Sequence, residues 1–249
     1  MSSGATDCTT EPGKEAIEAI IDGFRTLSKA SAPLVDARAA MVGVTWMIRI
    51  LRTAEAMITL YDQGLADTAP PLSRSIIEHS ISMMWLSERR DEAVKAVEYG
   101  HRKHQRNVFK SAAEGGWDLD AFDVDGGTHP MNDQMPVPED WPRFNWIEQR
   151  IPAKQFPTWY TTYRLESALS HATYLSGATY ASGPEEVGFY WEPQIPATPL
   201  RGTAVFVVLA AEALAELVET SAIFKSALAH AAALLEMPPD EVAEVPATG

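Results

Sequence analysis

Apolar residues recur at intervals of three and four along most of the chain, the period of a helix with one face buried. Ile17, Ile20, Ile21, Phe24 and Leu27 form one such stripe and predict a first helix over Glu15 to Ala30. Pro33 and Asp36 break the chain, and a second helix is expected from Val35 to Tyr61, stopped at Gly64. A third starts between Ala66 and Pro71, where proline is tolerated because the first N–H groups of a helix lack partners, and runs to about Ser87. Ile76, Ile77, Ile81, Met83, Trp85 and Leu86 cover most of its girth, which predicts a central position. Asp91 is expected to cap a fourth helix, reaching Ala113. A fifth covers Thr158 to Ala181, and a sixth runs unbroken from Leu200 to Leu235.

Between these helices, Trp117 to Pro157 and Ser182 to Pro199 are rich in proline and aromatic residues. Loops of this length inside a compact domain are expected to pack on it, the first with a short helix at Asn145 to Ile151. Strand-like alternation is absent. The pattern predicts an all-α bundle of about six main helices with two long aromatic, proline-rich loops. One domain is expected at 14–236, with disordered tails at 1–13 and 237–249.

Composition narrows the function classes. A net charge of −14 repels polyanions, so nucleic acid needs a local basic patch. Arg102, Arg106 and Lys110 on the fourth helix are the evident one. The lone cysteine, Cys8, excludes an intrachain disulfide and fits a reducing cytoplasm. The N-terminus lacks the regions of a signal peptide, and the longest apolar run, Ala204 to Ala211, is too short to span a bilayer. A cytoplasmic protein without a membrane partner is expected. A glycine-rich phosphate loop, a nucleophile elbow, a cysteine metal motif and a DNA-binding motif are all missing, and no cofactor is predicted.

Three groups of residues could carry chemistry. On the fifth helix Tyr160, Arg164, Ser167, His171 and Tyr174 are spaced to share a face, placing Arg164 and His171 roughly 10 Å apart along the axis. Arginine supplies a fixed charged fork, and histidine donates or accepts a proton near neutral pH. On the third helix Arg74 and Glu78 are one turn apart and suited to pairing, while His79 points about 100° away. On the fourth, Glu98 and His101 make a Glu-x-x-His step of the kind found in di-metal bundles. A second such step is lacking, although Glu78, Glu166 and His171 are possible contributors. A buried polar network that only holds the bundle together is the alternative to any of these readings.

The Arg164-x6-His171 spacing is similar to that of the HEPN superfamily of helical ribonucleases. That resemblance implies metal-independent RNA cleavage at a dimer interface in a bacterial defence or toxin role, with His171 acting on a ribose hydroxyl or leaving oxygen and Arg164 on the phosphate. Leu165 stands where those nucleases often carry a polar residue. Over about Ala39 to Tyr180 the chain also resembles a bacterial all-α family of unassigned function. The residues that carry this are Arg74-Ser75-Ile76-Ile77-Glu78, Trp85-Leu86, and Tyr163-Arg164 followed by Ser167 and His171. This implies that Arg74, Glu78, Tyr163, Arg164, Ser167 and His171 meet in one site. The readings carried forward are a HEPN-like RNA endonuclease, a non-catalytic oligomeric or ligand-binding bundle, and a metal-dependent oxidase-like bundle. A homodimer is the expected assembly.

Overall fold

A computed structural model describes residues 10–27, 37–117, 136–172, 176, 180–182, 188–189 and 199–237. The expectations for Cys8, Tyr174, the remaining parts of both long loops and the last twelve residues lie outside the described residues. The architecture is an all-α bundle. Its α-helices are α1 (Thr10–Leu27), α2 (Ala37–Asp62), α3 (Pro70–Arg89), α4 (Asp91–Glu114), the short α5 (Trp141–Asn145), α6 (Phe156–Ser170), α7 (Leu200–Ala215) and α8 (Ala222–Leu234). Two short 3-10 turns, Ala66–Thr68 and Ile147–Gln149, join them.

The central helix is α3, which packs against α2, α4, α6 and α7. Ile76, Ile77, Ile81, Met83 and Leu86 are almost fully buried there, as its apolar girth demands. On the far side, α1 lies against α7 and α8. Its Gly13 approaches so closely that an added Cβ would sit 2.7 Å from the Arg201 amide nitrogen. Arg38 ties α2 to α4 through Asp91 (2.6 Å) and Glu98 (2.8 Å). No helix among the described residues is long and apolar enough to cross a membrane.

Several boundaries depart from expectation. Helix α1 begins at Thr10, inside the stretch read as a tail. The expected sixth helix is two, because Ser221 starts a new one by accepting a hydrogen bond from the Phe224 amide (3.2 Å). Asp91 is not a cap but lies in the first turn, paired with Arg38 and Lys95, while Arg90 occupies the cap position at φ 47°. Such a left-handed residue lets α3 and α4 join without a loop. The short helix predicted at Asn145 to Ile151 is the 3-10 turn Ile147–Gln149, and the short α5 precedes it. Two residue pairs, Ala181–Ser182 and Gly188–Phe189, form a small antiparallel ladder that the sequence pattern did not signal.

The most consequential departure is α6, which stops at Ser170 rather than continuing to Ala181. The Ser170 hydroxyl donates to the Glu166 carbonyl (2.6 Å), the same back-bond that Thr161 and Thr162 make inside this helix. His171 then turns to extended backbone (φ −105°, ψ 162°). Ser176 donates its hydroxyl to the His171 carbonyl (2.7 Å), which fixes the turn.

Candidate functional site

The turn after α6 carries the His171 imidazole against α3. The Arg74 Nη1 lies 3.2 Å from His171 Nε2, and its Nη2 donates to the Tyr163 hydroxyl (3.4 Å). The same guanidinium sits over the Tyr163 ring, 5.6 Å from its centroid. Guanidinium nitrogens only donate, so Nε2 is the acceptor in this contact. His171 is exposed, and Arg74 and Tyr163 are half-buried. Arg74, Tyr163 and His171 therefore form one solvent-open cluster of a fixed cation, a phenol and an imidazole.

Other expected members stand apart. Arg74 does not pair with Glu78: among the described residues its side-chain partners are His171 and Tyr163. Arg164 is exposed and lies over the Tyr160 ring (6.0 Å), on the outer flank of α6. The end of the helix before His171 removes the shared helical face on which Arg164 and His171 were expected to sit. Ser167 is half-buried one turn beyond Tyr163, and its hydroxyl has no hydrogen-bond partner among the described residues. Glu166 is the buried acid of α6, and its charge acts on Tyr61 of α2. Burial first, and that charge second, push the Tyr61 hydroxyl up to about 12.

Glu98 and His101 are joined by no third metal-ligating side chain among the described residues. Glu98 is engaged by Arg38, and His101 is exposed on α4. Among the described residues, no group of three histidine, cysteine, aspartate or glutamate side chains is placed to hold a metal ion.

One turn along α3 from Arg74, a cavity of about 340 Å³ opens between this helix and the segment holding α5. Glu78 and His79 both line it, although their side chains leave the helix in different directions. His79 Nδ1 lies 2.7 Å from the Ser75 carbonyl and therefore carries a proton, and its ring meets Trp46 edge-on. Trp141 and Phe144 form the opposite wall. Tight helix contact positions them, since a Cβ at Gly100 of α4 would collide with the Phe144 ring.

The remaining polar wall is Arg150, a residue that sequence reasoning passed over. It is 9% exposed, donates Nη1 to the Ser82 hydroxyl, and leaves its buried Nε without a hydrogen-bond partner among the described residues. Desolvation pulls its pKa below the ordinary arginine value, while the charge of Glu78, then Tyr163 and Glu148, acts in the opposite sense. The segment is anchored by Asp140, whose carboxylate takes a forked pair of bonds from Arg89 (2.8 and 3.1 Å) and a third from Arg143 (3.0 Å). The signal for Arg150 was one of two arginines, with Arg143, within an aromatic stretch, Trp141 to Ile151, otherwise expected to cover the bundle.

The fold and these clusters define an all-α protein with a solvent-open Arg–Tyr–His group beside an aromatic cavity. More particularly, the chain belongs to a family of unknown function, DUF5677, whose model matches residues 40–186. That span holds Arg74, Glu78, Arg150, Tyr163 and His171, and leaves out α1, α7 and α8. No curated protein and no solved structure matches the chain.

Proposed function

We propose that this protein is a HEPN-like RNA endonuclease that cleaves by metal-independent transesterification. The observation that carries the reading is the exposed His171 imidazole held through Nε2 by Arg74 beside the Tyr163 hydroxyl. A phosphate arriving at the cluster competes with the imidazole for the Arg74 guanidinium, which binds phosphate oxygens as a charged fork. That exchange frees the Nε2 lone pair to take the proton of the ribose 2′-hydroxyl. The 2′-oxygen attacks phosphorus, the bond to the 5′-oxygen breaks, and water protonates the leaving oxygen. The products are a 2′,3′-cyclic phosphate and a 5′-hydroxyl. In this arrangement Arg74 takes the phosphate-binding role first given to Arg164, which is left to hold the neighbouring backbone.

Approach of RNA to an acidic protein is supported by α4. Arg102, Lys103 and Lys110 are exposed there, and the Lys103 ammonium lies over the Trp141 ring, 4.8 Å from its centroid, at the edge of the cavity. This basic stripe supplies the local attraction that the net charge of −14 denies elsewhere.

Purified protein is expected to cut single-stranded RNA of mixed sequence in the presence of EDTA, with cleavage weakening as salt rises. Inertness toward such RNA with and without added divalent cation would sink the reading. A second reading, ligand binding without catalysis by one or more copies, is favoured by the unpartnered Nε of buried Arg150, and that outcome would leave it standing.

A further inference from the structure

A buried guanidinium normally faces a carboxylate, because an uncompensated charge in the interior is costly. Arg150 departs from this. It is nine-tenths buried, its Nε is unpartnered, and no ion pair within 4.0 Å joins it to an acid among the described residues. Glu78 lines the same cavity, half-buried, and is not an ion-pair partner of any described residue. The two opposite charges thus face one space without closing on each other, and a ligand between them can satisfy both. It would have to present hydrogen-bond donors to the carboxylate and acceptors to the guanidinium.

The remaining walls call for a flat molecule. Trp141 and Phe144 approach from one side and Trp46 from another, and aromatic faces of this kind stack on bases. The volume, about 340 Å³, is at the low end of the ~300–1,000 Å³ of ligand pockets, and suits one base better than two. Among the four bases, guanine carries N–H donors at N1 and N2 beside acceptors at O6 and N7. The first pair matches a carboxylate and the second a guanidinium.

We infer that the cavity between Glu78 and Arg150 is a guanine-binding subsite. This rests on the RNA reading for its role: Arg74 and Glu78 lie on one face of α3 about 6 Å apart along its axis, so one nucleotide can place its phosphate at the Arg74–His171 cluster and its base in the cavity. The strand would then be cut next to guanosine.

The experiment uses the four nucleosides, which lack phosphate and so probe the cavity apart from the catalytic cluster. Each is titrated into the full-length protein by calorimetry, with tryptophan fluorescence in parallel. Guanosine is expected to bind at least tenfold more tightly than adenosine, cytidine or uridine. Glu78→Gln and Arg150→Met are each expected to weaken it by about tenfold or more. Should Arg150→Met fail to fold, Glu78→Gln decides alone, because it preserves shape at a half-buried position. Absence of guanosine binding, equal binding of all four, or unchanged affinity in Glu78→Gln overturns the inference. RNA cleavage without preference for guanosine removes the subsite and leaves the nuclease reading intact. Guanosine binding by a protein that cuts no RNA does the reverse.

Discussion

Replacing His171 by alanine is expected to lower RNA cleavage by about 10²–10⁴-fold, the usual worth of a positioned general base. Folding should hardly notice. The side chain is exposed, its one hydrogen bond is to Arg74, and Arg74 keeps Tyr163. Surface changes of this kind usually stay within about ±0.5 kcal/mol. Cleavage measured on labelled RNA, with thermal melting of both proteins alongside, separates the two effects. Equal cleavage by wild type and His171→Ala would remove the imidazole from the chemistry. Loss of activity together with a large fall in Tm would instead make His171 a structural residue.

The largest effect on stability expected away from the apolar core is that of Asp140→Asn. This carboxylate is 2% exposed and holds the start of α5 to the end of α3 through Arg89, with Arg143 as a second partner. Removing its charge leaves a buried amide facing two guanidinium groups. The cost should be about 2–4 kcal/mol, below the ~3–5 kcal/mol of fully enclosed pairs, because both arginines reach solvent. The pH dependence has a definite sign. Burial alone would raise the Asp140 pKa, but the hydrogen bonds and charge of Arg89, with those of Arg143, outweigh it and hold it below the usual value. A depressed folded-state pKa stabilises above the unfolded pKa, and that stability is lost as pH falls through the folded value. Wild type should therefore lose this increment on acidification below about pH 4, and Asp140→Asn should show no such step. Denaturant melts of both proteins across that range check the prediction. Parallel pH profiles would place the anchor elsewhere.

The bundle was legible where packing writes itself into periodicity. The apolar girth of α3 put it at the centre, and the prolines at its first turn and Gly64 after α2 marked real boundaries. Periodicity failed where a side chain intervenes in the backbone. Ser221 caps α8 by taking a hydrogen bond from the Phe224 amide, and Ser176 donates to the His171 carbonyl in the turn after α6. These short-range bonds are invisible to hydrophobic spacing.

The candidate site was legible as a set of residue types and less so as a set of pairs. Helical spacing made Glu78 the natural partner of Arg74. The turn after Ser170 brings His171 back instead and leaves Glu78 to the cavity. Arg150 lies in a segment without period, where only tertiary structure reveals that its guanidinium is buried. The charge of −14 is an average that hides the basic residues of α4, of which Lys103 lies over the Trp141 ring.

The chemistry of the RNA ends tests the central claim most directly. Fragments produced by the purified protein in EDTA should carry 2′,3′-cyclic phosphate and 5′-hydroxyl termini, since His171 is assigned to activate the ribose hydroxyl and no water attacks phosphorus. Fragments ending in 3′-hydroxyl and 5′-phosphate would contradict this account, because they require an external nucleophile for which the Arg74–Tyr163–His171 cluster has no assigned role.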